Sequence, residues 1–159
     1  MSVDLSTYGG TKFPAGFAGE IVDLNPATIE SKVNSAATAI DFGVAVARSS
    51  ANDTCKAPAA DGDVIIGISV RLATKVAASD GTVSYAQYDT VPIMKTGYIW
   101  AIPYENVVRG DGVISVTAQS GKLSGTTAGA AGSGRVAVPG AIWQDTATAG
   151  TPARIRINS

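Results

Sequence analysis

The longest strand-like apolar run in the chain spans residues 91–103 and reads Val-Pro-Ile-Met-Lys-Thr-Gly-Tyr-Ile-Trp-Ala-Ile-Pro. From Thr96 onward, alternation puts Tyr98, Trp100 and Ile102 on one face and Gly97, Ile99 and Ala101 on the other. Both faces are apolar, so both need cover. In a chain of 159 residues one cover is the domain's own core. The other is then a sister subunit, a terminal arm or a larger partner.

Around this run the pattern is one of short strands and tight turns. Residues 1–20 carry Tyr8, Phe13 and Phe17 among Gly and Pro with neither a helical nor a strand period. They read as an extended arm that lays its rings on a neighbour, because a loose end would leave three rings exposed. A short strand is expected at 21–24. Residues 27–42 fit a helical face through Ile29, Val33, Ala36 and Ile40 as well as a strand through Ile29, Ser31 and Val33; the reading taken is a strand at 29–34, then an irregular turn. Strands follow at 44–47 and at 64–70, where Val64, Ile66, Ile68 and Val70 would share a face and Gly67 marks a bulge or close backbone approach. Asp61-Gly62-Asp63, Asp80-Gly81 and Arg109-Gly110-Asp111-Gly112 read as turns. Further strands are expected at 83–88, 113–117, 135–138, 141–144 and 153–158, the last with Ile155 and Ile157 opposite Arg154 and Arg156. The small-residue stretch 124–134 has nothing to anchor it and reads as a mobile loop. About nine to eleven short strands at roughly ten-residue spacing imply an all-β sandwich or small barrel. The division expected is an arm over 1–20 and a single β domain over 21–159.

Composition adds one constraint. Charged residues are only 16% of the chain, and twelve basic against thirteen acidic residues leave a net charge of −1 with no basic stripe. That argues against a nucleic-acid partner held by phosphate contacts. A surface so poor in charge suits a chain largely buried against neighbours in a big assembly. No run is long enough for a membrane span, and no signal-peptide pattern opens the chain, so synthesis and use in a cytosol are expected. Asn52-Asp53-Thr54, although spelled like a glycosylation acceptor, then reads as a loop.

Candidate chemistry is sparse. Histidine is absent, which removes the usual base for a serine or cysteine nucleophile and the commonest metal ligand. Cys55, the single cysteine, reads as a strand residue. Gly67-Ile68-Ser69-Val70-Arg71 lacks the second glycine of a nucleophile elbow. The acids beside glycine are explained by turn hydrogen bonds, and neither a calcium-loop nor a phosphate-loop spacing occurs. The expectation is no enzyme, no cofactor and no metal. Arg109-Gly110-Asp111 spells an adhesion tripeptide but is already explained as a turn. Trp100, Tyr104 and Trp143 could together form a sugar-stacking surface, the basis of an alternative reading as a carbohydrate-binding β-sandwich on a virion or cell surface; embedded among apolar residues, Trp100 and Trp143 read more simply as core or interface.

Five stretches in this order and spacing carry a family likeness: Asp41-Phe42-Gly43-Val44-Ala45-Val46, Gly67-Ile68-Ser69-Val70, the run at 91–100, Val138-Pro139-Gly140-Ala141-Ile142-Trp143 and Ala153-Arg154-Ile155-Arg156-Ile157. From about residue 20 onward the chain resembles the capsid cement (decoration) proteins of tailed bacteriophages. The resemblance implies a small, tulip-like β-barrel domain that sits as a homo-oligomer, trimer favoured over dimer, on the outside of the phage head and ties major capsid protein subunits together. On that reading the contact residues are Tyr8, Phe13 and Phe17 of the arm, Trp100 of the central run, and Arg154 and Arg156 of the last strand, with no membrane or nucleic acid involved.

Overall fold

The computed structural model of the chain describes residues 16–22, 26–75 and 83–158. The expected Asp80-Gly81 turn and the end of the strand expected at 21–24 lie outside the described residues. Among the described residues there are eleven strands: β1 (Thr28–Asn34), β2 (Ile40–Asp41), β3 (Ala45–Arg48), β4 (Thr54–Lys56), β5 (Ile65–Ser69), β6 (Ser84–Tyr85), β7 (Thr90–Ala101), β8 (Gly112–Val116), β9 (Lys122–Gly125), β10 (Arg135–Trp143) and β11 (Ala153–Ile157). The only helical element among them is a three-residue 3-10 turn at Thr117–Gln119.

The apolar run that opens the sequence reading becomes β7, and both halves of the molecule hang on it. Its first half lies between β1 and β5; β1 also pairs with β4, so β1-β4-β3-β5-β7 closes into a five-stranded ring. Its second half continues into the order β7-β11-β10-β8-β9. The end of β7 then returns to β9 through a Pro103–Leu123 bridge, with the Tyr104 N–H donating to the Leu123 carbonyl at 2.7 Å. The architecture is the all-β barrel or sandwich expected.

Two cores follow from the alternation along these strands. A smaller one joins Val91 and Ile93 of β7 to Val46, Cys55, Phe42 and Tyr85. The larger lies where the outer side of the ring meets the second sheet, with Met94, Ile68 and Ile65 packed against Ile99, Trp143 and Ile155. In β11 Ile155 and Ile157 are buried while Arg154 and Arg156 are half-exposed, as the alternation predicts.

Elsewhere the pattern misleads. In β5 the pairing slips opposite Val46 and Ala47, so Ile65 and Ile68 enter the same core and Val64 is left 57% exposed. Gly67 does mark a close approach: a Cβ there would stand 2.3 Å from the Met94 carbonyl oxygen. The strand expected at 83–88 shrinks to β6, and those at 135–138 and 141–144 merge into β10 with an irregularity between Ala137 and Ile142. The stretch 124–134 is anchored, against expectation. Ser124 and Gly125 belong to β9, the Thr127 hydroxyl donates to Asp111 Oδ1 at 2.6 Å, and the Gly134 N–H donates to Asp61 Oδ1 at 2.7 Å.

One buried polar side chain ties β1 to its surroundings. Asn34 is fully buried; its amide nitrogen donates to the carbonyls of Thr38, Tyr85 and Ala86 at 3.0, 3.2 and 3.3 Å, and its oxygen accepts from the Ala36 N–H. Asn34→Ala would remove all of these bonds, including the fully buried one to the Tyr85 carbonyl. It is expected to cost about 1–3 kcal/mol, read as a lower urea midpoint at unchanged slope.

Candidate interaction surface

Of the residues singled out for contact, Trp100 lies on β7 and Arg154 and Arg156 on the neighbouring β11. Across the β7–β11 pairing Trp100 stands opposite Arg154 and Tyr98 opposite Arg156, and on the far side of β11 Arg156 faces Ile142. The result is a face of half-buried rings interleaved with two guanidinium groups. Arg154 is already committed: its Nε and Nη2 donate to the two oxygens of Asp145 at 2.9 and 2.7 Å, and its N–H donates to the same carboxylate at 3.0 Å. This fork holds the Asp145 carboxyl below its usual range and raises the Arg154 pKa. Arg156 is in no ion pair among the described residues.

The other edge of β7 is occupied by residues 19–22. The Gly19 N–H donates to the Trp100 carbonyl at 2.8 Å, the Trp100 N–H to Glu20 at 2.8 Å, and the Val22 N–H to Tyr98 at 3.0 Å. Two glycines make this docking close. Gly19 and Gly43 both have left-handed φ, +78° and +68°, and each backbone fills the space a side chain on the other would need: a Cβ on Gly43 would lie 2.6 Å from the Gly19 nitrogen. The Gly19 carbonyl also accepts from the Arg71 N–H at 2.7 Å. Just before it, Gly16 lies flat on the Trp100 indole, where a Cβ would sit 2.2 Å from the ring. The cover that the second face of β7 required is therefore supplied in part by the chain's own residues 16–22. Ile102 remains 43% exposed.

Phe17 is turned outward by this docking and is 64% exposed. The Arg71 guanidinium sits 4.6 Å from the Phe17 ring centre and 5.9 Å from that of Phe42. Gly16, Phe17, Phe42, Arg71, Ile102 and Pro152 line an open groove of about 310 Å³ beside it. Arg71 is the residue that sequence reading missed, and no local signal marks it, since Phe17 and Phe42 reach it only through the fold. Tyr8 and Phe13 lie outside the described residues.

The two tryptophans separate here. Trp143 is fully buried with its indole N–H donating to the Ser124 carbonyl at 3.0 Å, so it presents no face to a sugar. Arg109-Gly110-Asp111 is a turn whose carboxylate is engaged by the Val108 N–H and the Thr127 hydroxyl. Among the described residues no group of three or more His, Cys, Asp or Glu side chains could hold a metal ion, and no helix is long and apolar enough to cross a membrane.

A family model described as structural cement protein (E217 gp24/Pam3 gp6) matches residues 5–158. The chain belongs to this phage structural cement protein family. No curated protein matches it in sequence. Its fold is shared with a chain of the solved structure "The capsid of Myoviridae Phage XM1", at TM-score 0.72 and 16% identity, over 100% of this chain and 99% of that one. Membership of the cement family makes the chain a structural protein of the phage capsid, associated with capsid proteins in the virion, and the carbohydrate-binding alternative is not favoured.

Ion pairs that brace the cement fold predict its acid sensitivity. Glu30 is held down to about 2 by Lys95 and then Lys32, Glu105 is lowered by the Ser124 hydroxyl and Arg135, and Asp145 by Arg154. Folded-state values below the unfolded ones mean that this stabilisation is complete above about pH 4.5 and is lost as pH falls toward 2. Melting temperature against pH is expected to be level near neutrality and to fall below about pH 4.5, less steeply in Glu30→Gln. A level profile down to pH 2 would contradict it.

Proposed function

We propose that the protein binds the outside of the phage head as a homo-oligomer and clamps neighbouring major capsid protein subunits across their junctions. The observation that carries this reading is the docking of residues 16–22 on β7, which turns Phe17 outward and starts an aromatic-bearing arm from the same surface. A patch of aromatic rings and arginines, with the Arg71-backed Phe17 ring exposed on it, has the composition of an interface core. Tyr8, Phe13 and Phe17 of the arm would reach the neighbouring subunit. Trp100 supports the arm from below, and Arg156 with the Arg154–Asp145 pair forms the polar rim. The arm at 1–20 and the β domain at 21–159 would thus divide the labour between reaching and anchoring.

Multivalency supplies the strength. Each copy makes a modest contact, but once one copy of an oligomer is bound the others bind as if intramolecularly, which raises overall affinity by about 10²–10⁴. Co-sedimentation of the purified protein with empty, expanded capsid shells tests the reading. Saturable binding that Phe17→Ala weakens is expected, while an absence of binding to intact shells would overturn it.

A further inference from the structure

The groove beside the arm contains a binding group that the fold leaves unused. Arg71 follows β5, and its N–H is tied to the Gly19 carbonyl at 2.7 Å, so its side chain starts at the root of the arm. The guanidinium lies against two rings, Phe17 at 4.6 Å and Phe42 at 5.9 Å. Rings attract the cation through their π faces but offer no lone pair to its in-plane N–H donors. Among the described residues Arg71 is in no ion pair. Two other arginines show what such a fork ordinarily has: Arg135 donates to Glu105 at 2.8 Å, and Arg154 closes on both oxygens of Asp145 at 2.9 and 2.7 Å.

The surroundings of the fork are mostly apolar. Phe17, Ile102 and Pro152 line the groove with Arg71, and Phe17 and Ile102 keep much of their surface exposed. Asp41 is the one acid among the described lining residues, and it is not paired with Arg71. The open space of about 310 Å³ is at the small end of ligand-sized pockets, so it suits a short extended stretch of chain rather than a folded element.

We propose that this groove receives one Asp or Glu of the major capsid protein, its carboxylate on the Arg71 fork and an aliphatic neighbour of that residue laid against Phe17, Ile102 and Pro152. The proposal deepens the cement reading and rests on it for the identity of the partner, but not for the chemistry of the site. A guanidinium presents parallel N–H donors that match the two oxygens of a carboxylate, and its stacking on rings leaves that edge free. Phosphate has the same geometry, but a chain with net charge −1 and no basic stripe does not hold a phosphate-rich partner, and Asp41 on the same groove repels one. Asp41 also sets the charge of the occupant: it can accept a main-chain N–H, and it opposes a second acid, so the segment that fits carries a single carboxylate. Seating that segment drives water from the groove, and the pair on Arg71 strengthens as the local dielectric falls. The outward Phe17 then has two tasks, as a wall for the aliphatic neighbour and as a backing for the cation.

Two measurements on the full chain test it. In the first, co-sedimentation with capsid shells is titrated at low and at high salt for wild type, Arg71→Met and Arg71→Lys. Arg71→Met keeps the stem against Phe17 and the backbone bond to Gly19, so its melting temperature should match wild type while its charge is gone. It is expected to weaken shell binding at low salt by at least about tenfold and to flatten the salt dependence. Arg71→Lys, a point charge without the fork, should bind between the two and stay salt-dependent. Binding by Arg71→Met equal to wild type overturns the proposal. So does a loss that leaves the salt dependence unchanged, because Arg71 would then only prop Phe17. In the second, without shells, millimolar acetyl-Leu-Glu-Leu-amide should move the Arg71 Nε–H nuclear magnetic resonance signal, and acetyl-Leu-Gln-Leu-amide should not. A signal that the acidic peptide leaves in place means that the fork is already paired within the chain, and overturns the proposal as well. Shells that bind no wild-type protein, while the acidic peptide still moves the signal, would overturn the cement reading and leave the carboxylate site standing.

Discussion

Replacement of Trp143 by alanine is expected to remove about 3–5 kcal/mol of folding stability, the cost of emptying a large buried aromatic site. The side chain is fully buried where β10 meets the larger core, and the alanine would also lose the hydrogen bond from the indole N–H to the Ser124 carbonyl. Against a total of about 5–15 kcal/mol this is enough to leave a marginal domain substantially unfolded at 37 °C. Trp100→Ala, at a half-buried position, should cost far less stability and act on shell binding instead. The measurement is a pair of urea titrations. A Trp143→Ala protein with a midpoint close to wild type would mean that the core closes around the loss, and would remove the distinction between the two tryptophans.

That distinction was out of reach of the sequence, because both rings sit in similar short apolar contexts and differ only in what the fold brings over them. What could be read locally was read well. The alternating rings from Thr96 onward became the second half of β7, and Ile155 and Ile157 against Arg154 and Arg156 became β11, because in both stretches the period of two survives. It failed where the backbone slips: at β5 one register shift sends Ile65 and Ile68 to the same side, and hydrophobicity alone does not report such a slip. It failed again at 124–134, because the anchors are Asp111 and Asp61, remote in sequence and already accounted for as turn formers. At the candidate surface Phe17 and Trp100 could be singled out from aromatic content. The device that joins them, Gly16 on the indole and Gly19 against Gly43, was not, since a glycine's partner across space leaves no mark in its neighbours along the chain. Arg71 went unnoticed for the same reason.

Deletion of residues 1–20 is expected to produce the largest functional loss. It removes Phe17 with the rest of the arm, and it strips Gly16, Gly19 and Glu20 from the Trp100 indole and the edge of β7. Loss of a single aromatic anchor is worth about 2 kcal/mol per copy, or about thirtyfold in affinity. Contacts in an oligomer multiply, so shell binding by the assembly should fall by about 10²–10⁴. Because truncation also frees a strand edge that could aggregate, a companion is needed in which the arm is present but cannot seat. Gly19→Val serves: its Cβ would stand 2.8 Å from the Arg71 nitrogen, on a backbone with φ +78° that a β-branched residue does not tolerate. If seating the arm is what presents Phe17, Gly19→Val should lose most of the binding that the truncation loses while β1–β11 stay folded by circular dichroism. Full shell binding by a folded Gly19→Val protein would show that the arm acts without its dock, and full binding by the truncation would remove the arm from the contact altogether.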